Sequence, residues 1–74
     1  MNIKEILEKL NKKYIFCIDG EMIISGHFRF NIKYEGIEFN VTYTYTGMVT
    51  EEQNFQFICK KIENSLIDYF KRSK

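Results

Sequence analysis

Residues 28–45 read FRFNIKYEGIEFNVTYTY, and large apolar or aromatic side chains take every second position on both sides of Glu35-Gly36. Strict alternation is the period of a strand with one buried face. With Glu35-Gly36 as a two-residue loop, Tyr34 pairs with Ile37, Lys33 with Glu38, Ile32 with Phe39 and Asn31 with Asn40. Phe30 then pairs with Val41, Arg29 with Thr42 and Phe28 with Tyr43. In this register apolar meets apolar and Lys33 meets an opposite charge. A slip of one residue would set Phe against Asn along the whole ladder, so the register is strongly specified. Glu-Gly is a weaker turn signal than Asn-Gly, which leaves a longer, bulged loop as the alternative.

Working outward, MNIKEILEKLNKK at 1–13 predicts a helix. Asn2 and Glu5 stand at capping-box spacing. Ile3, Ile6, Leu7 and Leu10 form one apolar stripe, and Lys12 and Lys13 sit where the helix dipole favours cations. YIFCIDGEMIIS at 14–25 predicts two short strands about Asp19-Gly20, a strong hairpin dipeptide. Tyr14 to Ile18 is apolar throughout, the pattern of a strand covered on both faces. Ser25-Gly26 predicts a bulge or bend. From Thr50 onward a second helix is expected, with Thr50 and Gln53 as a capping box and Glu51 and Glu52 in the first turn. Its apolar stripe is Phe55, Ile58, Cys59, Ile62, Leu66, Tyr69 and Phe70.

These elements give one α+β domain over 1–74, in the order helix, three-stranded antiparallel sheet, helix (αβββα), with both helices on one sheet face. The opposite face is then polar: His27, Arg29, Asn31 and Lys33 beside Glu38, Asn40, Thr42, Thr44 and Thr46. Seventy-four residues bury only about 60% of the unfolded surface. The 45% hydrophobic and 16% aromatic content is what lets so short a chain hold a core without staples. Cys17 and Cys59 stand among apolar residues and are expected as reduced core thiols, with a single disulfide as the alternative. Neither a signal peptide nor a membrane span is expected, so the chain is placed in the cytoplasm. Abundant Ile, Lys, Asn, Tyr and Phe suggest an AT-rich genome, that of a low-GC bacterium or its phage.

Nothing in the sequence assembles chemistry. His27 has no Ser, His or carboxylate at relay spacing. No Cys/His cluster has zinc spacing, no loop resembles a calcium site, and no Gly-rich loop precedes a helix. No enzyme, cofactor, metal or small-molecule ligand is expected. Three features point instead to binding. The polar sheet face, with Arg29 and Lys33 among Asn and Thr, could hydrogen-bond a partner, although a solvated face takes the same residues. The charges should also segregate, despite a net charge of +1. With the first turn at Asp19-Gly20, the acids Asp19, Glu21, Glu51 and Glu52 share one end, and Lys71, Arg72 and Lys74 lie at the other, near Glu35. Good helix capping alone would give much of that polarity. The third feature is a pair of sheet edges, able to build a homodimer.

Two resemblances follow. The layout resembles the double-stranded-RNA-binding domain, with GHF at 26–28 similar to that family's Gly-Pro-x-His segment (the Pro missing), YEG at 34–36 at its second hairpin and TG at 46–47 after its third strand. The family opens its second helix with a Lys-rich run that grips phosphates, whereas this chain reads TEEQNFQ at 50–56, with Glu51 and Glu52. Two acids there repel a phosphate rail. The resemblance therefore implies a shared layout and not shared RNA binding; a nucleic-acid module using Arg29, Lys33, Lys71 and Arg72 is the alternative function. In size, composition and strand order the chain also looks like small phage-encoded anti-CRISPR proteins. That resemblance implies a non-catalytic inhibitor that blocks a surface of a bacterial defence effector, a protein or ribonucleoprotein complex. Its acids would be Asp19, Glu21, Glu51 and Glu52, and its sheet-face residues Arg29 and Lys33. A homodimeric structural or regulatory module is the remaining alternative.

Overall fold

A computed structural model describes residues 2–72. The order is α1 (Ile3–Lys13), β1 (Cys17–Ile24), β2 (His27–Tyr34), β3 (Ile37–Thr44) and α2 (Glu51–Arg72). The strands form one antiparallel sheet in the order β1-β2-β3. Both helices lie on the same face of it. Ile6 and Leu10 of α1 meet Ile18, Phe28, Phe30, Ile32, Val41 and Tyr43 of the sheet and Ile58, Cys59 and Ile62 of α2 in one buried cluster. The αβββα fold is thus the one the alternating stretch and its flanking helices predict.

The β2–β3 register carries every expected pair, from Tyr34↔Ile37 to Phe28↔Tyr43, and adds His27↔Thr44. The loop has two residues. Glu35 (φ 48°) and Gly36 (φ 80°) both take positive φ, the signature of a tight hairpin turn whose twist matches the strands. Both caps form. The Asn2 side chain accepts from the Glu5 N–H at 2.9 Å. Thr50 and Gln53 exchange bonds, Gln53 N–H to Thr50 Oγ1 at 3.1 Å and Thr50 N–H to Gln53 Oε1 at 3.0 Å.

The segment before β2 differs from expectation. Asp19-Gly20 is not a turn: it lies inside β1, with Asp19 opposite Asn31 and Gly20 opposite Phe30. The turn is Ser25-Gly26, with Gly26 at φ 78°, and a bulge sits just before it, between Met22 and Ile24. Gly20 serves a different purpose from turning. A Cβ there would stand 2.9 Å from the Arg29 carbonyl oxygen, 3.0 Å from Phe30 Cδ1 and 3.4 Å from Leu7 Cδ2. The missing side chain lets β2 close on β1.

The apolar run Tyr14–Ile18 is likewise not a covered central strand. β1 is an edge strand starting at Cys17, and Ile15 is 93% exposed. Cys17 is exposed rather than in the core; Cys59 is buried. In α2 the stripe is buried at Ile58, Cys59 and Ile62, whereas Tyr69 and Phe70 are each 40% exposed.

Candidate functional site

β-strand alternation places Cys17, Asp19 and Glu21 of β1 on the same face as the β2 and β3 residues opposite them. The polar face is therefore a grid of three strands. Its rows are Cys17–Lys33–Glu38, Asp19–Asn31–Asn40 and Glu21–Arg29–Thr42, followed by Ile24–His27–Thr44 beside the turn. Both helices pack on the other side, so no element of the described chain covers this face. Thr46, expected at its border, falls beyond the end of β3.

The charges on the grid are paired sideways. Arg29 Nη1 lies 3.3 Å from Glu21 Oε1, and Lys33 Nζ lies 3.5 Å from Glu38 Oε1. These pairs are solvent-exposed, worth about 0.2–1 kcal/mol each. Their consequence is mainly electrostatic: Arg29 and Lys33 do not stand as bare cations. Asp19 Oδ1 accepts from the Gly20 N–H at 2.8 Å, and His27 Nδ1 meets Thr44 Oγ1 at 3.0 Å. A shallow depression of about 310 Å³ lies among Cys17, Asp19, Asn31, Lys33 and Glu38.

The expected gathering of Asp19, Glu21, Glu51 and Glu52 at one end does not occur. It rested on a turn at Asp19-Gly20, and with that dipeptide mid-strand, Asp19 and Glu21 belong to the open face. Glu51 and Glu52 open α2 near the Ser25-Gly26 end, where the Tyr45 N–H reaches the Gly26 carbonyl at 2.7 Å. They line an open groove of about 750 Å³ with Lys9, Lys12, Lys13 and Phe55, so the acids face cations of α1. The basic half of the expected polarity is present. Phe70 touches Tyr34, beside the Glu35-Gly36 turn, at a ring separation of 6.1 Å, which carries Lys71 and Arg72 to that end. Lys74 lies outside the described residues.

Three features escaped the sequence reading. The first is Asn54, 1% exposed within the apolar stripe of α2. Its signal was positional, since Asn54, Ile58 and Ile62 recur at i+4. The second is edge protection. The Asn11 side chain accepts from the Ile18 N–H at 3.2 Å and donates to the Ile18 carbonyl at 3.0 Å, standing in for a neighbouring strand on β1. Lys61 Nζ donates to the Thr42 carbonyl on β3 at 2.8 Å. The third is a chain of rings, Tyr14–Phe16–Tyr34–Phe70, with centroid separations of 4.9, 5.5 and 6.1 Å. Tyr14 also donates its hydroxyl to the Glu63 carboxylate. Burial, and then that carboxylate, raise its pKa far above the ordinary tyrosine value.

Among the described residues no group of His, Cys, Asp and Glu is arranged to hold a metal ion, and no helix is long and apolar enough to cross a membrane. The chain matches no protein-family model, no curated protein and no solved structure.

Proposed function

We propose that this chain is a non-catalytic protein that works by laying the open face of its sheet against another protein. The observation that carries this reading is the uncovered grid, with a donor or acceptor at nearly every position and with Arg29 and Lys33 each held beside a carboxylate. Such a face offers many directed hydrogen bonds and little net field. That suits a complementary protein surface, where electrostatic pairing fixes register and partner. It suits a phosphate backbone poorly: Asp19, Glu21 and Glu38 outnumber the two cations, and Glu51 and Glu52 stand where a phosphate grip would need lysines. An inhibitor that blocks a surface of a bacterial defence effector is the form of this function that the size and strand order favour.

The test is affinity capture of the tagged protein from a nuclease-treated bacterial lysate, run beside two charge-reversed variants. Arg29→Glu with Lys33→Glu should lose the captured protein, while Glu51→Lys with Glu52→Lys should retain it. Loss only in the second variant would move the contact to the start of α2. Capture abolished by nuclease would overturn the reading in favour of nucleic acid.

A further inference from the structure

We infer that the carboxyl end of α2 and the segment leaving α1 form a second docking surface, one that takes an acidic segment of a partner protein carrying an apolar anchor. The inference rests on the reading of this chain as a protein-binding molecule, but on a surface separate from the open sheet face.

The Tyr14–Phe16–Tyr34–Phe70 ring chain runs from the exit of α1, across the end of the sheet, to α2. Phe70 is 40% exposed and Ile67 is 51% exposed. Ile67 lies one helical turn after Glu63, which holds the Tyr14 hydroxyl, and one turn before Phe70, so all three share one side of α2. The result is a continuous apolar strip that α1, the sheet and α2 border without covering.

Cations stand at both ends of the strip. Lys13 Nζ sits 5.5 Å over the Tyr14 ring, beside Lys12, and Lys71 and Arg72 follow Phe70 in the last turn of α2. Among the described residues neither Lys71 nor Arg72 makes an ion pair. At the α1 end Glu51 and Glu52 share the groove with Lys12 and Lys13, so the cations that carry the charge argument are Lys71 and Arg72. Glu63 is engaged by Tyr14, and Glu35 stands in the hairpin turn. Asp68 lies toward β3, in the groove with Asn40 and Lys61.

An aromatic and aliphatic centre with a charged rim is the anatomy of a protein interface, and aromatic residues and Arg are its usual energetic anchors. The rim asks for carboxylates, and Ile67 and Phe70 ask for an apolar side chain between them. Single-stranded nucleic acid would need rings lying flat and open for base stacking. Here Tyr14 and Phe16 stack on each other at 19°, and Phe16 meets Tyr34 at 74° and Tyr34 meets Phe70 at 89°, edge to face, so the rings spend their faces on one another.

The experiment is an NMR titration of the isotope-labelled full chain with three probes: a short peptide alternating Glu with Leu and Phe, its Lys-for-Glu counterpart, and an oligothymidylate of similar length. The acidic peptide should shift the amides of Lys13, Ile67, Phe70 and Lys71 and leave those of Asp19, Arg29 and Thr42 unmoved. Lys71→Glu with Arg72→Glu, at exposed positions that leave the core intact, should weaken it by about tenfold or more. Ile67→Asp should weaken it again, by removing the anchor. No shifts at these amides, or equal response to the basic peptide, would overturn the inference, and response to the oligothymidylate alone would reassign the strip to nucleic acid. If this surface fails while Arg29→Glu with Lys33→Glu still abolishes capture, only the second surface is wrong. If the strip binds and the face variant captures normally, the sheet-face reading is the one that fails.

Discussion

The Tyr43 hydroxyl donates to Asn54 Oδ1 at 2.6 Å, joining the end of β3 to the start of α2 inside the core. Asn54 uses its whole amide. Oδ1 also accepts from the Thr46 N–H at 3.1 Å, and Nδ2 donates to the carbonyls of Thr46 at 2.8 Å and Thr50 at 3.1 Å. One side chain thus satisfies the backbone of the β3–α2 connection at the place where α2 begins. Asn54→Leu keeps the branched skeleton of the side chain but strands these groups, and should destabilise the protein by about 2–4 kcal/mol. Tyr43→Phe leaves Oδ1 still bonded to Thr46 and should cost about 1 kcal/mol. Urea unfolding of the two variants checks the order, and equal losses would mean that the tyrosine, not the amide network, holds the connection.

Gly20 and Gly36 should respond differently to substitution. Gly36 has open space around a Cβ, so Gly36→Ala should lose only about 1–2 kcal/mol, the cost of its positive φ. Gly36→Asn, which tolerates that conformation, should recover much of it. At Gly20 the obstacle is contact with backbone and a packed ring. Gly20→Ala should cost about 1–3 kcal/mol, and Gly20→Asn should cost more, not less. Rescue of Gly20 by Asn in thermal melts would restore the turn assignment that the strand pairing contradicts.

The hairpin was legible because alternation specifies both period and register, and the helices because their caps are local chemistry. Asp19-Gly20 was misread for a physical reason. The dipeptide looks like a turn from within, and what demands a glycine there is the Arg29 carbonyl and the Phe30 ring of β2, contacts that only the true strand pairing brings close. Moving that turn also dissolved the four-acid cluster, since Asp19 and Glu21 had been gathered by it. The lateral pairing Lys33–Glu38 could be read from the register, whereas Glu21–Arg29 could not, because it needs the true β1 register. The ring chain depends on where the exit of α1 meets α2, which no periodicity encodes.

Tyr14 gives the protein an alkaline limit. Its raised pKa means the folded state holds the phenolic proton where the unfolded chain, with a value of about 10, releases it. The stability so contributed is complete below pH of about 10 and is lost as pH rises toward the folded value. Tyr43, raised first by burial and then by Tyr45 beside it, acts in the same direction. Tyr14→Phe should lose about 1 kcal/mol at neutral pH with the Glu63 hydrogen bond. It should also flatten, without abolishing, the fall in urea midpoint above pH of about 10, the remainder belonging to Tyr43. An unchanged alkaline slope would rule Tyr14 out as its source.

The sheet edges are guarded by two side chains that differ in what they protect. Asn11 satisfies both the N–H and the carbonyl of Ile18, a residue only 6% exposed, so Asn11→Ala leaves partly buried groups unpaired. It should cost about 1–3 kcal/mol. Lys61 reaches the Thr42 carbonyl from an exposed position, so Lys61→Ala lets water replace it and should change stability by less than about 0.5 kcal/mol. Both substitutions uncover strand edges, and an uncovered edge is a template for another strand. The double variant should therefore self-associate with rising concentration more than the parent does, in sedimentation velocity at matched concentrations. If the two sediment alike, these side chains anchor the helices to the sheet and do not keep other chains away from it.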